Sequence, residues 1–253
     1  MLCAMRALPL LLCLALPATI TFGQAFEVAS VRPSQHSAGP DYNNQIVYTP
    51  AGFTARDTTL QRLIAEAWRL QLSQVIGPGW LSKNEYDIEA RVPEAAASDQ
   101  IALMLKGLLA DRFGLKMHTE SRSMRAYVLV VAQGGPKIHP VSPGTEAAVR
   151  PGSHFRGDMR QFADLLAVQF SIPASSDPRV PSIGLGPQIP VLNETGLEGT
   201  YEFSVDIKPE LNTDGFTAWS RVLEDQLGLK VENRKGGVKV LVVDDAAKIP
   251  TEN

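Results

Sequence analysis

The sequence predicts an α+β fold of two similar tandem subdomains, each an antiparallel-rich sheet with two packed helices in the order strand, helix, strand, helix, strand, strand. Three observations predict it. The stretch LLADRFGLKMH at 108–118 returns as VLEDQLGLKVE at 222–232, 114 positions later. Segments in which apolar residues alternate with period two give way to segments in which they recur every three or four positions, the change from strand to helix. Between the two copies lies QGGPKIHPVSPGTEAAVRPG at 133–152, rich in glycine and proline and read as a linker.

Each element of the first unit follows from its own residues. FEVASVR at 26–32, QIVYT at 45–49 and GFTAR at 52–56 alternate apolar and polar and predict strands. Thr58 or Thr59 is placed to cap a helix in which Leu60, Leu63, Ile64 and Ala67 share one face. GPGW at 77–80 enforces a turn, and EYDIEARV at 85–92 puts Tyr86, Ile88 and Ala90 on one side of a half-buried strand, with Asp87, Glu89 and Arg91 on the other. After Ser98, the residues Ile101, Met104, Leu105, Leu108, Leu109 and Phe113 form a helical stripe that Gly114 terminates. LKMHTE at 115–120 and AYVLVVA at 126–132 predict two closing strands.

The second unit repeats this order. Phe155, Phe162, Leu165 and Leu166 match Phe53, Leu60, Leu63 and Ile64 at an offset of 102, and TYEFSVDI at 200–207 matches EYDIEARV at an offset of 115. Trp219, Val222, Leu223 and Leu227 rebuild the second helix, Gly228 ends it, and LKVENR and VKVLVVD supply two further strands. A proline-rich loop at 171–188 has only a short counterpart in the first unit, and unstructured loops of that length are functional or disordered. The predicted organisation is a leader at 1–25, a first subdomain at 26–132, the linker at 133–152 and a second subdomain at 153–253.

Composition narrows the function classes. The chain has 253 residues, of which 44% are hydrophobic and 20% charged, the proportions of a globular protein. Met1 to Arg6 and the apolar run Ala7 to Leu16 read as a secretory leader, too short for the roughly twenty residues that span a bilayer. Leu11 and Leu12 ahead of Cys13 argue against a lipid-anchored leader, and Cys3 and Cys13 both fall inside it, so the exported chain is expected to be free of cysteine, of disulfides and of transmembrane segments. Removing Arg6 moves the formal charge from −3 to about −4, without basic blocks, which excludes a nucleic-acid partner held through phosphates.

Motifs for catalysis are missing from the sequence. It contains no G-x-S-x-G, H-E-x-x-H, phosphate loop or C-x-x-C, and His36, His118, His139 and His154 lie on unrelated segments without ligand-like spacing. Asp87 and Glu89 share one strand face and Asp244 adjoins Asp245, but the pattern points all four to solvent, where paired acids stay ordinary. Trp68 and Trp219 lie on apolar helical stripes and read as core. Trp80 follows Gly-Pro-Gly, where an indole either staples the loop or faces a partner. The candidate binding residues are therefore Trp80, Asp87 and Asp206; no catalytic residue, metal ligand or cofactor is assigned.

The motifs FEVASVRPS, FTARDTTLQRLIAEAW, GPGWL, YDIEA, LLADRFGLKMHTE, YVLVVAQGGPK and TGLEGTYEF, with LGLKVE and VLVVD near the end, run in order from Phe26 to the last residues. This order resembles a soil-associated family of secreted bacterial proteins of unknown function. The resemblance implies kinship with domains fused to membrane metallopeptidases similar to beta-lactam sensors, and through them an extracytoplasmic sensing or partner-binding role. It supplies no catalytic residues. The expected function is thus an exported, periplasmic or extracellular, non-enzymatic module that binds a protein or cell-envelope ligand through the cleft between subdomains or through a strand edge. An envelope-acting hydrolase, with the 171–188 loop as a lid over Asp87 or Asp206, and a structural envelope protein remain open.

Overall fold

The computed structural model describes residues 25–35, 45–92, 96–141, 153–173, 188–207 and 213–251. The expected leader up to residue 24, the later part of the linker and most of the 171–188 loop lie outside the described residues. Strands β1 (Val28–Pro33), β2 (Gln45–Thr49) and β3 (Gly52–Thr59) lead into helix α1 (Leu60–Trp68). Thr59 caps this helix, its hydroxyl accepting the Arg62 N–H at 3.3 Å. Leu60, Leu63, Ile64 and Ala67 are buried as their spacing predicts. A 3-10 turn at Leu72–Gln74 follows, then the short β4 (Val75–Ile76). A second 3-10 turn, Gly79–Ser82, occupies the Gly-Pro-Gly stretch and leads into β5 (Glu85–Arg91).

These strands form an antiparallel sheet in the order β1-β5-β3-β2. Gly52 lets β3 lie close against β5, because a side chain there would begin 2.0 Å from the Ala90 carbonyl oxygen. Helix α2 (Ser98–Phe113) follows, with Ile101, Met104, Leu105, Leu109 and Phe113 buried, and ends at Gly114 in the left-handed region at φ 56°.

LKMHTE and AYVLVVA do not form two closing strands; both belong to the single strand β6 (Lys116–Val131). Strand β7 (Ser153–Gly157), helix α3 (Met159–Gln169), β8 (Val191–Asn193), β9 (Tyr201–Val205) and helix α4 (Gly215–Val222) follow. A π-helical turn at Leu223–Leu227 extends α4 to Gly228, again left-handed, and LKVENR and VKVLVVD then merge into β10 (Leu229–Asp245). The segment 121–125, SRSMR, carries β6 straight on because each of its residues is paired in the ladder with one of Lys239 to Lys235. Gly236–Gly237 in β10 reads as a turn when considered alone, but the pair lies opposite Met124 and Ser123 in a ladder that supplies its backbone partners.

That ladder organises the molecule. β6 and β10 pair antiparallel from Leu229 opposite Val131 to Asp245 opposite Lys116, with one bulge at Val243/Asp245. At about 3.3 Å per residue such a strand reaches roughly 50 Å, enough to serve two cores. β4 joins the outer edge of β10 in parallel at Leu241 and Val242, and β8 joins the outer edge of β6 in parallel at Tyr127 to Leu129. β7 and β9 form a separate antiparallel pair.

Among the described residues two large apolar cores result, both drawing on the ladder, and a smaller cluster of Ala126, Val238 and Val240 lies on the ladder itself. The first gathers α1, α2 and β5 residues such as Leu63, Leu105, Phe113 and Ile88, and takes Leu241 and Val243 from the end of β10. The second gathers Phe162, Leu166, Phe203, Trp219 and Leu227, and takes Leu129 from β6. Each core is thus completed by a strand from the other half of the chain. The C-terminal segment is tied to the first core as well: the Tyr86 hydroxyl donates to the Lys248 carbonyl at 2.7 Å, and the Ala247 N–H donates to the Phe113 carbonyl at 2.8 Å.

Candidate functional site, a groove between two helices

Helices α1 and α3 face each other across a groove. Its larger part is a cavity of about 500 Å³ whose lining includes Arg62, Glu66, Leu70 and Gln71 from the first half and Asp164 and Val168 from the second. An adjoining hollow of about 220 Å³ shares Ala65, Glu66, Leu70 and Asp164 and adds Arg69 and Arg160. α1 turns its apolar stripe to the first core, and this leaves Arg62 and Glu66 on its other face. Asp158 caps α3, its carboxylate accepting the Gln161 N–H at 2.7 Å while Gln161 Oε1 accepts the Asp158 N–H at 3.0 Å.

The floor is held by glutamines. Gln71 Nε2 donates to Asp164 Oδ1 at 3.0 Å and to the Val191 carbonyl at 2.7 Å, and Gln71 Oε1 accepts the Val191 N–H at 2.8 Å. Gln74 accepts the Gln71 N–H at 3.0 Å and donates to the Lys239 carbonyl at 3.0 Å. Arg160 pairs with the other oxygen of Asp164 at 2.7 Å. Burial pushes the Asp164 carboxyl above its ordinary pKa, with Asp158 and Glu66 adding to the rise; Arg160 and the Gln71 hydrogen bond oppose it.

The charges in the smaller hollow are unevenly matched. Arg69 lies 2.7 Å from Asp99 and only 3.9 Å from Glu66. Its guanidinium also stands 5.8 Å from the ring centre of Tyr48. Burial, together with the Glu66 carboxylate, raises the pKa of the Tyr48 hydroxyl.

The three residues singled out from sequence occupy separate neighbourhoods. Trp80 is half-buried against the first core, with the Lys248 ammonium 6.0 Å from its ring centre. Asp87 is half-buried on β5 and accepts the Asp57 N–H at 3.0 Å, where a bulge leaves buried Asp57 at φ 47°. Its solvent-facing neighbour Glu89 pairs instead with Arg56 at 2.9 Å. Asp206 is exposed at the end of β9 and lines a different concavity of about 380 Å³ with Arg221 and Asp225. Gln226 clasps the Asp206 backbone there, accepting its N–H at 3.0 Å and donating to its carbonyl at 2.9 Å.

Trp219 is buried as its stripe predicts, whereas Trp68 is half-buried beneath the Lys106 ammonium. His118 and His154 are exposed on strands, His118 beside Asp244 at 2.9 Å. Among the described residues no cluster of histidine, cysteine and acids is arranged to hold a metal ion, and no helix is long and apolar enough to cross a membrane. The sequence reading missed Glu66, Gln71 and Asp164. The only local signal was the Arg160–Asp164 spacing of four on one helix face.

The family described as "Protein of unknown function (DUF3738)" matches residues 61–246. The chain belongs to that family. The DUF3738 match takes in both walls of the groove, from the second residue of α1 through the whole of α3, and the β6–β10 ladder. No curated protein and no solved structure matches the chain.

Proposed function

We propose that this chain is an exported binding or sensing module, non-enzymatic, which takes a protein or cell-envelope ligand into the groove between α1 and α3. The observation that carries the reading is the groove itself: apolar Leu70 and Val168 beside charged Arg62, Glu66 and Asp164, contributed by both halves of the chain. Binding sites combine an apolar lining with a few convergent polar groups in this way. The leader-like residues 1–25 and the resemblance to soil-associated secreted proteins, with their sensor-fused relatives, support export and sensing.

The same proposal makes the two halves diverged copies. Strand, capped helix, short parallel strand, antiparallel strand, glycine-ended helix and long strand recur in order, with Thr59 and Asp158 as caps and Gly114 and Gly228 as ends. The capping residues stand 99 positions apart, three fewer than the 102 expected from the apolar stripe. Three residues are nearly one helical turn, so the stripe alone does not distinguish the two offsets. In the ladder, Ser123 pairs with Gly237, 114 positions on, which is where a two-fold axis relating β6 to β10 would pass.

A thermal-shift screen of the mature chain against peptides and envelope glycan fragments tests the reading, with V168W as a groove-filled control. A ligand that raises the melting temperature of the wild type but not of V168W supports it. Shifts that V168W leaves intact, or no shift across the panel, overturn it.

A further inference from the structure

The two large cores sit at opposite ends of one ladder, and the ladder is thinnest between them. Leu241 and Val243 join the first core, Leu129 and Leu229 the second. β4 widens the ladder only at Leu241 and Val242, and β8 only at Tyr127 to Leu129. Among the described residues the stretch between them, 121–125 against 235–239, is a ribbon of two strands. Ribbons of two strands twist more than wider sheets. All the core residues just named carry odd numbers, and odd residues pair with odd along this part of the ladder, so strand alternation puts both cores on one face. On that face the ribbon presents Ser121, Ser123, Arg125, Lys235, Gly237 and Lys239, every one of them exposed and none part of a core. The small cluster of Ala126, Val238 and Val240 lies on the opposite face. Gly236 and Gly237, opposite Met124 and Ser123, leave the middle of β10 without side chains, and glycine inside a strand weakens it.

Across the groove the halves are fastened by Gln71, through Val191 and Asp164. Gln74 holds the same turn to the Lys239 carbonyl at 3.0 Å, on the first-core side of the glycines, so Gln71 belongs with the first half. Val191 is buried in the second core and Asp164 lies on α3, so both belong with the second. Deepening the groove reading above, and resting on it for what the groove admits, we propose that the chain is a hinged clamp. The ribbon bends at Gly236–Gly237, α1 and α3 part, and Gln71 is the latch that holds them together. Such closure needs two packed bodies joined by a few pliant residues, and the two cores with the bare centre of the ribbon between them supply both.

The experiment places spin labels at K83C and V168C, exposed positions on the two sides of the groove, in the mature chain, whose residues 26–253 contain no cysteine of their own. Pulsed dipolar spectroscopy should give a narrow distance distribution in this otherwise wild-type chain. Adding Q71A should bring in a longer distance whose share rises at least about tenfold, as the loss of two hydrogen bonds requires. G236V on top of Q71A should narrow the distribution again. A Cβ on Gly236 meets nothing within 4 Å, so the valine fits, and a β-branched residue stiffens the strand.

An unchanged distribution in Q71A overturns the latch, and a longer distance that G236V leaves in place overturns the hinge. Should Q71A fail to fold, amide exchange in the wild type and G236V decides. Val191, whose N–H is held by Gln71, should exchange through a local opening that G236V slows, while Val128 within the ladder is unaffected. Equal exchange at Val191 in the two chains overturns the clamp. None of these readouts uses a ligand, so their failure leaves the groove reading to the thermal-shift screen.

Discussion

Gln71 and Val191, 120 residues apart, exchange two hydrogen bonds: the glutamine side-chain amide donates to the Val191 carbonyl at 2.7 Å and accepts the Val191 N–H at 2.8 Å. The amide behaves as one more residue of strand on the edge of β8 and fastens the α1 side of the groove to the α3 side. Q71A leaves both Val191 backbone groups unpaired beside a side chain only 1% exposed and removes a donor to Asp164. Urea unfolding should show a loss of about 2–3 kcal/mol, more than a single exposed hydrogen bond contributes. A loss below about 0.5 kcal/mol would mean that water replaces the clasp.

Asp164 makes the groove sensitive to pH. Its folded-state pKa is raised, chiefly by burial, so the folded chain holds this proton more tightly than the unfolded chain does. The stability linked to the group is therefore fully present below the ordinary carboxylate pKa and is lost as pH rises through the raised value. Unfolding free energies measured from pH 3 to pH 7 should show the wild type losing ground to D164N as pH rises, then running parallel to it. The opposite trend would show that Arg160 outweighs burial.

Gly114 and Gly228 both end helices in the left-handed region, but their surroundings differ. A Cβ on Gly114 meets nothing within 4 Å, whereas one on Gly228 would lie 2.2 Å from the Gly135 carbonyl oxygen and 2.9 Å from the Lys137 backbone nitrogen. G114A should cost about 1 kcal/mol, the conformational penalty alone. G228A should cost about 3 kcal/mol or more, because backbone must move as well. Thermal unfolding of the two variants ranks them, and equal melting temperatures would refute the close approach.

Tyr86 anchors the chain end through its hydrogen bond to Lys248, formed against the edge of the Phe113 ring. Y86F keeps the ring packing and removes that bond, so the expected loss is about 1 kcal/mol. Amide exchange should quicken at Ala247 and Thr251, which donate to the Phe113 and Arg112 carbonyls, while the centre of α2 stays protected. Exchange unchanged at Ala247 would show that the tail is held without the hydroxyl.

What the sequence by itself determined about this protein is local: the helix after Thr59, the stripe from Ile101 to Phe113, the inward Tyr86, Ile88 and Ala90, and the glycine ends at 114 and 228. Each depends on neighbours within a turn or two of the chain, and that range is what periodicity and capping report. Only the tertiary structure decided that the two expected strands at 115–132 are one, because continuation or reversal near Ser123 depends on a partner 114 residues away. It alone brought Gln71 to Asp164 and Arg69 to Asp99. Polar side chains that meet across a groove carry no period, and their spacing in the chain says nothing of their distance in space.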